Sequence, residues 1–256
     1  MRRFLYLVSI FSFVGVCFAA SPRKPIPGIV QQYPTQGSGG AAAGPALTIA
    51  YNEGWFETGA GTSLTCTPVY KPKAGNVIFV GSWVGTSSFT SVIDSSGGVF
   101  QLDKFDNRDT GNAVGIWHRT ATGTMTGTYN IIVTPDANSN INVGILTASN
   151  TAASVSVDVT TDAFRTTAIV EIGTSAATTA ATDLVFSVFS DNSGSNDAIT
   201  PRSPLTEVAE FENGTSGAAG AVAYSTTSVA STPTKGNWTL AGSKRWNSIT
   251  AAFKTP

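Results

Sequence analysis

One histidine, His118, and two cysteines, Cys17 and Cys66, are all that 256 residues offer of the side chains that most readily do chemistry near neutral pH. That stock excludes a zinc site built from His and Cys within one chain, which takes three or four such ligands. A Ser-His-Asp site would have to use His118, and no Gly-x-Ser-x-Gly turn nominates its nucleophile. His118 shares a strand face with Val114 and Ile116, which assigns it a structural or rim role. Charge is scarce too. Only 12% of residues carry it, 15 basic and 16 acidic, so the basic patch that nucleic acid or an anionic membrane would need is missing. No repeat of fixed length is present, which excludes a solenoid or propeller. Helical signals are missing as well, since the alanines of Ala176–Ala181 are crowded by threonines that favour extended chain.

What is present begins with an export signal. Arg2 and Arg3 precede an apolar run from Phe4 to Phe18, too short for the roughly 20 apolar residues of a membrane span. Cys17-Phe18-Ala19 puts small residues at −3 and −1, so the expectation is a Sec-type signal peptide, residues 1–19, cleaved after Ala19. A lipoprotein would use Cys17 as its first mature residue, but Val16 is larger than the small residue usual before it. A twin-arginine signal needs more context than Arg2-Arg3, and an uncleaved anchor is the weaker alternative. Cleavage removes Cys17 and leaves Cys66 without an intrachain partner, so no disulfide framework is expected. Thr65 and Thr67 flank Cys66, which fits a small apolar strand residue better than a nucleophile. Residues 20–46 are rich in Pro, Gly and Ala and are expected to form a disordered leader. No apolar tail follows Phe253, so no membrane insertion is expected after cleavage, and the mature chain belongs outside the cell or on its surface.

From residue 47 to 256 the pattern has period two, with turn residues at short intervals. Val155, Val157 and Val159 alternate with Ser154, Ser156, Asp158 and Thr160, which predicts a strand with one wet face. Ile141, Val143 and Ile145 alternate with Asn140, Asn142 and Gly144 in the same way. Val77–Val84 and Leu184–Phe189 are apolar on both faces and read as central strands. Ile249, Ala251 and Phe253 mark a last strand. Turns are expected at Asp94–Gly98, Asp136–Asn140, Asp191–Gly194, Glu212–Gly214 and Lys235–Asn237. Many short strands at this spacing predict an all-β fold of two packed antiparallel sheets.

Several segments resemble a β-sandwich module of bacterial secreted and surface proteins. Val92-Ile93-Asp94-Ser95-Ser96-Gly97-Gly98-Val99-Phe100 resembles its "V-x-D-S-x-G-N-x-Y/F" hairpin, with Gly98 where Asn is usual, and Gly there permits φ > 0. Ala74–Val80 resembles the opening of a core strand and Val114-Gly115-Ile116-Trp117 a strand carrying a Trp. Tyr129–Thr134 resembles a "T-V-T-V-T" strand. Thr178–Phe186 resembles "T-T-A-A-N-D-L-V-V", and Trp246–Lys254 the closing "W-A-A-x-x-A-T-F-K". The resemblance runs from about Gly75 to Lys254. It implies a jelly-roll, concanavalin-like architecture and an exported setting, and it carries no catalytic residues.

A concanavalin-like fold raises glycoside hydrolysis by two carboxylates, which in retaining enzymes stand about 5–5.5 Å apart. On a strand Glu210 and Glu212 would share a face about 6.5–7 Å apart. The run Glu207–Glu212 fails the E-x-D-x-E pattern in either register, so exposed strand charges explain it better. Asp191, Ser193, Ser195 and Asp197 offer oxygen at alternating positions, the arrangement of a calcium loop, although turn composition alone predicts the same residues. Asp103, Asp106 and Asp109 form a second acidic cluster that Lys104 and Arg108 can neutralise. Among the tryptophans, Trp246 reads as core, and Trp238, after Gly236-Asn237, is the ring expected to be exposed for a ligand. The leading expectation is a non-enzymatic module with a structural, adhesive, or glycan- or protein-binding role. A secreted carbohydrate-active enzyme and a self-assembling surface or fibre protein are the alternatives. Oligomeric state is left open.

Overall fold

Fourteen strands and no helix make up the residues described by the computed structural model, which are 48–109, 111–149, 155–173, 178, 183–191, 199–201, 204–212, 219–226 and 235–254. In chain order they are β1 (Thr48–Gly61), β2 (Leu64–Cys66), β3 (Val77–Val84), β4 (Phe89–Asp94), β5 (Gln101–Asp109), β6 (Asn112–Thr120) and β7 (Ile131–Pro135). There follow β8 (Ser139–Ser149), β9 (Ser156–Gly173), β10 (Asp183–Asp191), β11 (Ile199–Pro201), β12 (Thr206–Glu212), β13 (Ala219–Thr226) and β14 (Lys235–Lys254). All pairings are antiparallel.

Three sheets result. The central one runs β1-β8-β3-β6-β5, the broad one β11-β14-β10-β13-β12 with β9 on the other side of β14, and the small one β2-β7-β4. Strand β3 shows how sequence dictates the layering. Its even residues Ile78, Val80 and Val84 pack towards Cys66, Ile131 and Val133 of the small sheet. Its odd residues Val77, Phe79 and Trp83 pack towards Phe186, Val188 and Phe253 of the broad sheet. Every residue of β3 is therefore buried, as its unbroken apolar run predicts. Full burial of side chains this size contributes about 1.5–3 kcal/mol each, so the central sheet carries two cores.

A row of glycines sets how closely the two large sheets approach. Gly54 of β1, Gly144 of β8 and Gly81 of β3 stand side by side across the central sheet. A Cβ on Gly144 would lie 2.7 Å from Val222 Cβ, and one on Gly81 would lie 2.7 Å from Val188 Cγ2. A Cβ on Gly54 would collide with Ala209 and stand 2.9 Å from the Phe211 ring. The row is a groove that receives side chains of β10, β12 and β13.

The structure revises three readings. Strand β8 has no wet face over Ile141–Ala148, because the broad sheet covers the side on which Asn142 and Gly144 lie. In β9, Asp158 is an extra residue at a bulge between Val157 and Val159, which breaks the simple alternation. The closing strand reaches back to Lys235, so Lys235–Asn237 is strand and not turn. The turn at Asp94–Gly98 is present. Residues 192–194 and 213–214, where two further turns are expected, lie outside the described residues, as do residues 1–47.

Candidate functional site

Among the described residues, His118 and Glu210 each have a partner within the fold. His118 on β6 places Nδ1 2.8 Å from both carboxylate oxygens of Asp103 on β5. The Asp103 side chain is wholly buried, and the imidazole packs against Phe79 and Phe253 with ring centroids 6.3 and 5.6 Å away. Burial pushes the Asp103 carboxyl up, against the lowering effect of its hydrogen bond and attraction to His118. This is a buried pair joining two strands. Glu210 accepts a hydrogen bond from the Ile199 amide at 2.5 Å, which ties β12 to β11. Glu212 pairs in register with Ala219, and its side chain lies outside the described residues.

Trp238 is not exposed. It lies within β14, opposite Pro201 and Val170, is fully buried, and meets Phe189 at 5.8 Å between centroids. The extension of β14 back to Lys235 turns an expected loop ring into a core one. Trp246 is core, as expected. Asp191 ends β10 with no exposure to solvent, a poor position for a first loop ligand, while Ser193, Ser195 and Asp197 lie outside the described residues. Among the described residues no group of three or more His, Cys, Asp or Glu is placed to hold a metal.

The second acidic cluster dissolves into ion pairs. Arg108 binds Asp106 through Nη2 at 2.5 Å and also reaches Asp162 of β9. Lys104 crosses to the same Asp162 at 2.5 Å, and Asp103 serves His118. Cys66 is buried in the core between the central and small sheets. Burial, and then the charge of Glu53, push its thiol well above the ordinary range, so thiolate chemistry is not available to it.

The hairpin signature acquires a physical meaning in the turn from β4 to β5. Asp94 Oδ1 accepts from the Ser96 amide at 2.9 Å, the Ser96 hydroxyl at 2.6 Å and the Gly98 amide at 3.0 Å. Its Oδ2 accepts from the Tyr129 hydroxyl at 3.3 Å and pairs with the Arg119 guanidinium. Burial pushes the Tyr129 hydroxyl up to about 12, which keeps it a donor. Positive φ falls on Gly97, at 79°, rather than on Gly98. At Gly98 the requirement is space, because a Cβ there would run into the Arg119 guanidinium.

This turn and the bridge between Ile93 and Val99 hold β4 and β5 together at one end. Beyond them the strands diverge into different sheets, each paired on one side only among the described strands, β4 with β7 and β5 with β6. The space between them is a notch of about 280 Å³. Phe89 stands edge-on to Trp117, centroids 4.7 Å apart at 80°, and to Phe105 at 6.3 Å and 80°. Val99 and Leu102 form exposed lips, at 73% and 51% of full exposure. Serine and threonine hydroxyls complete the lining, which contains no charged side chain. Sequence reasoning weighs only the tryptophans. The signal it misses is Phe89, an aromatic set alone among Ser87, Ser88, Thr90 and Ser91.

Fold and site together define an all-β antiparallel sandwich with an uncharged aromatic notch at a sheet edge. Comparison with protein-family models, with curated proteins and with solved structures returns no match.

Proposed function

We propose that residues 47–256 form an exported, non-enzymatic β-sandwich module that binds a partner through the notch between β4 and β5. The observation that carries this reading is the pairing of an uncharged aromatic recess with two exposed apolar lips, a combination associated with recognition surfaces. Perpendicular rings make a recess and not a flat stacking platform. An apolar side chain from an uncharged extended peptide therefore fits better than the face of a sugar ring, and the open edges of β4 and β5 can add backbone hydrogen bonds to such a segment. Face-to-face packing of two antiparallel sheets supports the jelly-roll, concanavalin-like reading of a bacterial secreted or surface module, carried out of the cytoplasm by the signal peptide 1–19.

The test is capture by the mature chain on peptide and glycan arrays, each with and without calcium, beside a Val99→Ser/Leu102→Ser variant. Peptides with an apolar anchor should be captured by the wild type and about tenfold or more weakly by the variant. Preferential capture of glycans overturns the choice of partner. Blank arrays overturn the binding reading, and capture lost on chelation returns interest to the Asp191–Asp197 loop. Self-assembly is a second reading, supported by β9, an 18-residue strand paired on one side only among the described strands. It ranks lower because Asp162 and its partners Lys104 and Arg108 set charges along that edge, a device that discourages edge pairing.

A further inference from the structure

Three side chains at one end of the broad sheet form a cluster that partner binding does not use. Asp183 opens β10, Lys254 closes β14 directly opposite it, and Asp158 is the bulge residue of β9. Lys254 Nζ lies 3.0 Å from Asp158 Oδ1. The Asp158 side chain is 2% exposed and Asp183 1%, whereas Lys254 is 44% exposed. Two carboxylates thus share one half-solvated cation. They lie within hydrogen-bonding reach of each other, and two negative charges so close in a dry site resist ionising together. With one proton between them the cluster is neutral; with none it carries a net negative charge away from water.

We propose that Asp158, Asp183 and Lys254 form a proton-gated latch fastening the start of edge strand β9 to the rest of the broad sheet, closed when the carboxylates share a proton and loosened when both ionise. Its position gives it leverage. Among the described strands β9 pairs with β14 alone, and the latch adds a side-chain tie from β9 to β10. Thr178, buried in the connection between β9 and β10, acts on the Asp183 carboxyl and places that connection beside the same switch. The adjoining segments 150–155, 174–182 and 227–234 contain no ionisable side chain. His118, paired with Asp103, packs against Phe253, the β14 residue next to Lys254, on the opposite face of that strand.

Burial first, and the Asp158 charge second, raise Asp183 from 3.8 to about 6, against the lowering effects of Thr178 and Lys254. A carboxyl raised in the folded state stabilises most below its unfolded value and loses that stabilisation as pH rises through its folded value. The latch is therefore closed near pH 4 and open above about pH 6.

Native-state hydrogen exchange of amides 156–163 in the mature chain tests this at about pH 5 and about pH 7.5, after correction for intrinsic rates. In the wild type the corrected exchange should be about tenfold faster at the higher pH. Asp183→Asn, a permanent neutral donor, should exchange alike at both. Asp162→Asn, which alters a carboxylate of the same strand held by Lys104 and Arg108, should keep the wild-type response. A wild type with no pH response, or an Asp183→Asn protein that retains it, overturns the latch. The side-chain carboxyl resonance of Asp183 in the wild type supplies a second measurement that does not depend on how any variant folds. A midpoint near 6 supports the proposal, and one at or below about 4 overturns it.

Discussion

Replacing Asp94 with alanine should cost about 3–4 kcal/mol, and each part of that figure has a source in the β4–β5 turn. The carboxylate is wholly buried and paired with Arg119, whose side chain keeps 15% exposure. Breaking a buried ion pair from one side costs about 3–5 kcal/mol, mostly because the surviving charge is left without a partner. Arg119 retains some access to water, which places this loss at the lower end, about 3 kcal/mol. The Ser96 and Gly98 amides also lose their acceptor, but they sit on a turn that water reaches, so they add only about 1 kcal/mol. Asp94→Asn keeps an oxygen for both amides and should cost about 1 kcal/mol less than alanine. Urea unfolding reads these differences as shifts in midpoint at unchanged slope. A loss under about 1 kcal/mol for Asp94→Ala would refute the account, because the carboxylate would then not be holding the turn. Val99 follows the turn directly and forms one lip of the notch, so partner capture should fall in this variant even under conditions where it stays folded.

Two further expectations concern packing. Gly144→Ala puts a methyl 2.7 Å from Val222 Cβ and should destabilise by about 1–3 kcal/mol through overpacking; no change in the melting temperature would show that the sheets can separate freely there. Trp238→Ala should cost about 3–5 kcal/mol in urea unfolding, whereas a ring standing free for a ligand would be lost at almost no cost.

The strands are legible where side-chain period alone decides them. Val77–Val84 announces a strand covered on both sides, and β3 is one. The alternation at Ile141–Ile145 suggests one dry and one wet face, and this fails because Asn142 and Gly144 face a second sheet instead of water. Small and polar residues serve a covered face when the opposite sheet comes close, and one strand in isolation cannot show that. The Asp94 signature announces a hairpin, but its reason lies about twenty residues further along the chain, in Arg119. The notch is not legible. It depends on the divergence of β4 from β5, and so on which sheet each strand joins. Asp158 and Asp183 are equally hidden, because they meet only through the register of β9 and β10 against β14.

That register bears on the order in which the protein can assemble. Strand β14 comes after every strand it pairs with, and the residues of β9 that meet it lie roughly 60–100 positions upstream, a separation that slows folding. Until β14 arrives, β9, β10 and β11 have no common neighbour, while the pairing of β3 with β6 is already available. The broad sheet is therefore completed last, in a single step that joins three waiting strands. The same dependence makes 235–254 the segment whose removal would leave β9 and β11 with no partner among the described strands, while β10, β13 and β12 could still pair.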